Sequence, residues 1–203
     1  MTEIIKVEPA TPTFSVTWKL TSRCNYACSY CRPEDHDSTA PQKSLEELKN
    51  IWKQVVHKSK HLNLPYKIGF TGGELATNKN FLPFLEWLRK FDPLIFLYVT
   101  TNGSASVNYY SRMTNTINGL SFSLHSEYVN EAEFFEKASV INSLMPRPEK
   151  SFHVNIMDEP WNQTRIKLYK NILDSNAISY SINKLDSRVR IKTPTMQGSY
   201  NID

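Results

Sequence analysis

The chain has 203 residues, of which 40% are hydrophobic and 22% charged, and its formal net charge is +4. That is enough ordinary globular chain for one domain with a real hydrophobic core. Lysines and arginines are scattered, which argues against a nucleic-acid surface, and no apolar run is long enough to span a bilayer. Nothing at the N-terminus reads as a secretory signal, so the expected compartment is the cytoplasm, without a membrane partner.

Residues 14–20 alternate and are rich in β-forming side chains, which predicts a first strand. Cys24, Cys28 and Cys31, the only cysteines, hang from its end. Pro41 and Ser44 introduce a helix: Ser44 and Glu47 have capping-box spacing, and Leu45, Leu48, Ile51, Trp52 and Val55 form an apolar stripe. Residues 66–71 read as a second strand. Residues 80–90 read as a second helix, with Phe81, Phe84, Leu85 and Leu88 on one side and Pro83 tolerated in the first turn. Residues 94–100 form a continuous apolar run, expected as a strand buried on both faces. A shorter helix over 104–114 and a fourth strand over 119–124 follow. The helix over 130–144 carries Phe134, Phe135, Ala138 and Ile141 and ends before Pro146 and Pro148. A fifth strand (151–157), a fifth helix (160–173) and a sixth strand (178–182) complete the pattern. In the tail, Arg188, Arg190 and Lys192 alternate, which reads as a charged strand edge in preference to a clamp for an anionic substrate.

Strands alternating with helices imply parallel β-α units joined by right-handed crossovers. The fold class is therefore α/β. Six such units close only part of a barrel, giving an open parallel sheet with outer helices, although periodicity equally allows a flat doubly wound sheet. No repeat or linker divides the chain, so residues 1–203 are expected as one domain, with a core over about 14–185, a short N-terminal arm and a C-terminal tail. Sites in parallel α/β folds form at the carboxyl ends of strands. The cysteines, Gly72 to Glu74, Thr101 and Asn102, Ser123 and His125, and Asn155 and Asp158 all fall at such ends.

The C-x3-C-x2-C spacing offers three thiolates, enough for three corners of a cubane iron–sulfur cluster. The fourth iron then lacks a protein ligand and is open to a small molecule. Zinc would need a fourth ligand such as His36, at an unsuited spacing, and the odd cysteine count disfavours a disulfide.

The segment Cys24-Asn25-Tyr26-Ala27-Cys28-Ser29-Tyr30-Cys31 resembles the cluster loop of the radical S-adenosylmethionine (radical SAM) superfamily, including the aromatic residue before the third cysteine. Gly69-Phe70-Thr71-Gly72-Gly73-Glu74, Thr100-Thr101-Asn102-Gly103 and Ser121-Phe122-Ser123-Leu124-His125 are similar, in order, to that superfamily's strand-end segments. The resemblance runs from about Phe14 to about Leu185. It departs at Leu75, where the family often has proline after the glutamate.

The resemblance implies a partial (β/α)6 barrel and a radical SAM enzyme. Cys24, Cys28 and Cys31 would hold a [4Fe–4S] cluster, with S-adenosylmethionine on its open iron through the methionyl amine and carboxylate. Reductive cleavage would give methionine and a 5′-deoxyadenosyl radical that abstracts hydrogen from a small-molecule, nucleotide, sugar or peptide substrate. An external low-potential electron donor of flavodoxin or ferredoxin type is implied, and a homodimer could complete a small substrate pocket. The backbone at Gly72 and Gly73 would approach the methionyl amine, with Glu74 accepting a hydrogen bond there. Tyr30 would lie near the adenine, and Asn102, Ser123 and Asn155 near the ribose or carboxylate. His125 and Asp158 are candidate catalytic residues; Glu127 and His153 lie nearby, His153 being expected to point away by alternation. Tyr109, Tyr110 and Trp161 are expected to pack. Three cysteines leave none for an auxiliary cluster. Two other readings are an activase of a partner enzyme and a non-catalytic iron–sulfur electron-transfer or sensor protein.

Overall fold

The computed structural model describes residues 12–146 and 148–185. The basic alternation at Arg188, Arg190 and Lys192 lies outside the described residues. Six strands, β1 (Phe14–Thr21), β2 (Tyr66–Gly72), β3 (Phe96–Thr101), β4 (Gly119–Leu124), β5 (Ser151–Asp158) and β6 (Ser179–Lys184), pair in sequence order, each pair parallel. Between them run α1 (Leu45–Ser59), α2 (Phe81–Phe91), α3 (Val107–Thr114), α4 (Glu131–Ser143) and α5 (Ile166–Ser175).

Helices cover one face of the sheet. Ile68 and Phe70, Leu97 and Val99, Leu120 and Phe122, and Phe152 and Val154 share one core with Trp52, Phe84, Tyr110, Phe134 and Tyr169 from the helices. The opposite face carries Thr71, Tyr98, Thr100, Ser121, Ser123, His153 and Asn155, mostly half-buried. A doubly wound sheet buries both faces under helices. One apolar face and one polar face instead mark an open partial barrel. Among the described residues no helix is long and apolar enough to cross a membrane.

Three expectations change. The apolar run 94–100 is not a strand buried on both faces: Leu94 sits in a turn, 87% exposed, and β3 alternates from Phe96 onward. The inner face of an open barrel is not filled by helices, so Tyr98 and Thr100 stay half-buried. The fifth helix begins at Ile166, not at residue 160. Asn162 folds the preceding segment into turns, its backbone N–H donating to Glu159 O at 3.1 Å and its side chain to Met157 O at 2.9 Å. Such local bonds offer the backbone an alternative to the helix. Finally, His153 shares the inner face with Asn155 instead of pointing away, because residues two apart on a strand lie on the same side.

The capping box at α1 is formed. Ser44 Oγ accepts from Glu47 N at 3.3 Å, and Glu47 Oε2 accepts from Ser44 N at 2.8 Å. Ser44→Ala removes one half of this exchange and is expected to lower stability by about 1 kcal/mol, measured as a shift in urea midpoint at constant slope.

Candidate cofactor site at the carboxyl rim of the sheet

The cysteine loop leaves β1 after Thr21 and folds onto the rim. Tyr26, Cys28 and Tyr30 form a small buried cluster that also takes in Cys24, Cys31, Tyr128 and Trp161. Two contacts reach across from the segment after β4: Ser29 N donates to Glu127 Oε2 at 2.9 Å, and Tyr128 Oη donates to Ala27 O at 2.9 Å. The rings of Tyr26 and Tyr128 stack with centroids 5.1 Å apart. Burial pushes all three thiols up, Cys24 to about 12, because a thiolate loses its hydration there.

The loop borders a cavity of about 180 Å³. Cys24, Cys28 and Cys31 all line it, with Gly72, Gly73, Asn102, Ser123 and His125 from the ends of β2, β3 and β4. Thr71, Thr100, Thr101, Tyr26, Asp35 and His36 complete its wall. Six of the residues singled out from strand ends, Gly72, Gly73, Thr101, Asn102, Ser123 and His125, are thus brought to the same space as the cysteines.

The two glycines are required by the protein's own backbone. Gly72 has φ +136°, and a Cβ built on it would lie 2.2 Å from Thr21 O. A Cβ on Gly73 would lie 2.2 Å from Arg23 O and 2.6 Å from Arg23 C. That closeness lets Gly73 N donate to Thr21 O and Glu74 N to Arg23 O, each at 2.8 Å. The end of β2 is thereby laced to the exit of β1, which launches the cysteine loop.

Glu74 is fully buried and does not line the cavity. Its carboxylate accepts from Ala76 N at 2.9 Å, from Thr101 Oγ1 at 2.8 Å and from Asn102 N at 2.8 Å. Burial pushes its pKa up against the pull of those donors. Asn102 passes the linkage on, donating through Nδ2 to Asn25 Oδ1 of the cysteine loop at 2.9 Å. Asn25, buried at this junction, escaped sequence reasoning because it lies between two ligand-type residues and carries no periodic signal.

Other candidates lie away from the cavity wall. Tyr30 turns its hydroxyl to His125 Nδ1 and Glu159. Asn155 is held within the inner face, donating to Ser121 Oγ at 3.2 Å and accepting from Ser181 Oγ at 3.1 Å. Asp158 accepts from Gln163 and lines a separate depression with Lys167 and Lys170. His153 bonds Ser179 Oγ and Ser181 Oγ, each at 3.1 Å. Tyr110 packs against Phe122, with ring centroids 4.7 Å apart.

No protein-family model matches the chain. It is 29% identical over 130 residues to the GTP 3′,8-cyclase of Campylobacter curvus (strain 525.92), a match covering 62% of this chain and 39% of that protein. It is 32% identical over 98 residues to the S-adenosylmethionine-dependent nucleotide dehydratase of Selenomonas ruminantium, covering 47% of this chain and 32% of that protein. The chain thus spans well under half the length of these curated relatives. Its fold is similar to that of Streptococcus suis SuiB bound to S-adenosylmethionine, with TM-score 0.66 and 14% identity over 89% of this chain and 44% of that one. A parallel open barrel with its cysteine loop and glycine turn at one rim defines the class: a β/α domain with a cavity at the carboxyl rim of its sheet. The chain is thus similar over part of its length to a GTP 3′,8-cyclase and an S-adenosylmethionine-dependent nucleotide dehydratase, and its likeness to SuiB is one of fold.

Gly73→Ala forces its new methyl against the Arg23 carbonyl, and overpacking of this kind is expected to lower stability by about 1–3 kcal/mol, read by urea denaturation. A second expectation concerns His125, whose half-buried ring is held unprotonated down to about 4 from an ordinary 6.5 by loss of hydration. The unfolded chain takes up that proton first, so the contribution is complete above about pH 6.5 and is lost as pH falls toward about 4. His125→Gln is expected to flatten the decline of stability across that window, measured by urea titrations at successive pH values.

Proposed function

We propose that this chain is the core of a radical SAM enzyme in which Cys24, Cys28 and Cys31 hold a [4Fe–4S] cluster and the adjoining rim holds S-adenosylmethionine. The observation that carries this reading is the meeting of three otherwise unpaired thiols in one cavity with the glycine turn, Asn102 and Ser123. Among the described residues no three Cys, His, Asp or Glu side chains converge on a point suited to a single ion. Three thiolates are the donor set of a cubane cluster with one open iron, whereas a tetrahedral zinc needs a fourth ligand.

When bound, the cluster and S-adenosylmethionine supply one-electron cleavage of a carbon–sulfur bond and, from it, hydrogen abstraction from a substrate carbon. The chain's residues supply binding and orientation. The three thiols bind as thiolates, so loading releases protons and is favoured as pH rises. The backbone edge at Gly72 and Gly73 gives a wall without side chains, suited to close approach by a polar ligand group. Glu74 acts behind that wall, fixing the positions of Thr101 and Asn102. Asn102 and Ser123 offer amide and hydroxyl groups at the cavity for ligand hydroxyls or carboxylate. Tyr30 and Asn155 take supporting places, and Asp158 none at the cavity.

Anaerobic reconstitution with iron and sulfide, followed by strong reductant and S-adenosylmethionine, tests the proposal. The expected result is bound iron and sulfide together with 5′-deoxyadenosine, with both lost in Cys28→Ala. Protein that binds no iron and sulfide, or that binds them yet never consumes S-adenosylmethionine, would overturn it.

A further inference from the structure

Glu159 follows β5, is fully buried, and gathers four donors. Tyr30 Oη donates to Oε1 at 2.8 Å. Oε2 accepts from Ser126 N and Asn162 Nδ2, each at 3.2 Å, and from Ser126 Oγ. The same Tyr30 hydroxyl meets Nδ1 of His125, the two rings lying 20° from parallel with centroids 5.9 Å apart. His125 in turn lines the cysteine cavity, and its Nε2 has no hydrogen-bond partner among the described residues.

The protons in this chain can be counted. A backbone N–H and a side-chain amide nitrogen can only donate, so Oε2 is an acceptor. Burial pushes the Glu159 carboxyl up while the Ser126 and Tyr30 donors pull it down; as the carboxylate it has no proton to give, and Oε1 receives the single proton of the Tyr30 hydroxyl. The Tyr30 oxygen can then only accept from His125, which puts the imidazole proton on Nδ1. A neutral imidazole has one N–H, so Nε2 keeps its lone pair. The Cys28 sulfur lies beside the same hydroxyl but is a weak acceptor, and a carboxylate outcompetes it.

We propose that Glu159, acting through Tyr30, locks His125 in the Nδ1–H tautomer, so that Nε2 serves as a hydrogen-bond acceptor for an O–H or N–H group of the ligand in the cysteine cavity. Glu159 and Tyr30 are positioning residues, and His125 is the group that meets the ligand. The hydrogen bond that the other ring nitrogen makes decides which nitrogen is open. The arrangement follows the logic of a carboxylate orienting a histidine, with a phenol inserted between them. The service to a ligand rests on the proposed function; the tautomer itself does not.

The test is long-range 1H–15N correlation on the full chain carrying 15N-labelled histidine near pH 7. His125→Gln assigns the signal among the five histidines. The expected spectrum of the unmodified chain shows a protonated Nδ1 and a bare Nε2. In Glu159→Gln, Ser126 N and Asn162 Nδ2 hold the amide oxygen in the Oε2 place. The amide nitrogen then donates to Tyr30, the Tyr30 proton turns to Nδ1, and His125 inverts to the Nε2–H form. Tyr30→Phe should leave an ordinary mixture of tautomers. An Nε2–H form in the unmodified chain overturns the proposal, whether or not the variants fold. So does a folded Glu159→Gln variant whose tautomer is unchanged. Loss of S-adenosylmethionine cleavage with the Nδ1–H tautomer intact would instead count against the functional reading alone.

Discussion

The rim depends on a buried carboxylate held by hydrogen-bond donors, with no ion pair to it among the described residues. Glu74 sits at the end of β2 with its oxygens filled by Thr101, Asn102 and Ala76. Taking a charge out of water is tolerable only when donors replace the lost hydration. Here two of the donors, Thr101 Oγ1 and Asn102 N, come from the end of the next strand, so satisfying the charge fixes the spacing of β2 and β3 at their carboxyl ends. Glu74 N bonds Arg23 O, and Asn102 Nδ2 bonds Asn25 Oδ1, so the same residue also ties both strands to the cysteine loop. Removing one member of such a network orphans several buried groups at once.

A second buried glutamate answers it from the other side. Glu159, beyond β5, holds Tyr30 and Ser126, while the less buried Glu127 takes the Ser29 N–H. The cysteine loop is thus suspended between Glu74, through Asn25, and Glu159, through Tyr30. Neither carboxylate lines the cavity. Their work is done one shell back, where the dielectric is low and hydrogen bonds hold geometry firmly. The thiols, by contrast, are disfavoured as thiolates: burial and neighbouring negative groups favour their protonated form. The loop is shaped by polar bonds, while its sulfurs are held in the thiol form.

Much of this was legible in the chain because it is written in local patterns. Ser44 and Glu47 announce a helix start that depends on neighbours in sequence alone, and the cap forms. The order of strands and helices, and the gathering of the cysteines with Gly72, Gly73, Asn102, Ser123 and His125, follow from parallel connectivity, which sends every strand end to one rim. What escaped reading depends on partners far apart. Tyr30 and Glu159 are 129 positions apart, and no spacing rule joins them. Glu74 read as a cavity group because its place in the motif is visible while the direction of its carboxylate is not. The glycines read as a ligand approach, yet the atoms they would strike are Thr21 O and Arg23 O. Residues 94–100 misled because an apolar run does not disclose that one side of a strand will meet no helix.

That uncovered side explains why its residues are mostly polar. Ser121 donates to Thr100 Oγ1, Asn155 to Ser121 Oγ, and Ser181 to Asn155 Oδ1, while His153 spans Ser179 and Ser181. The network crosses four strands along the concave face. Apolar side chains there would have collapsed inward or drawn the helices around them, since burial of apolar area drives packing at roughly 25 cal/mol per Å². Hydroxyls and amides that bond sideways to the next strand instead satisfy one another in place. The sheet can then stay curved and open without exposing an apolar surface. The division of labour in this chain is therefore by face: the convex side supplies stability through its aromatic and aliphatic core, and the concave side is left free of that duty and available to a ligand.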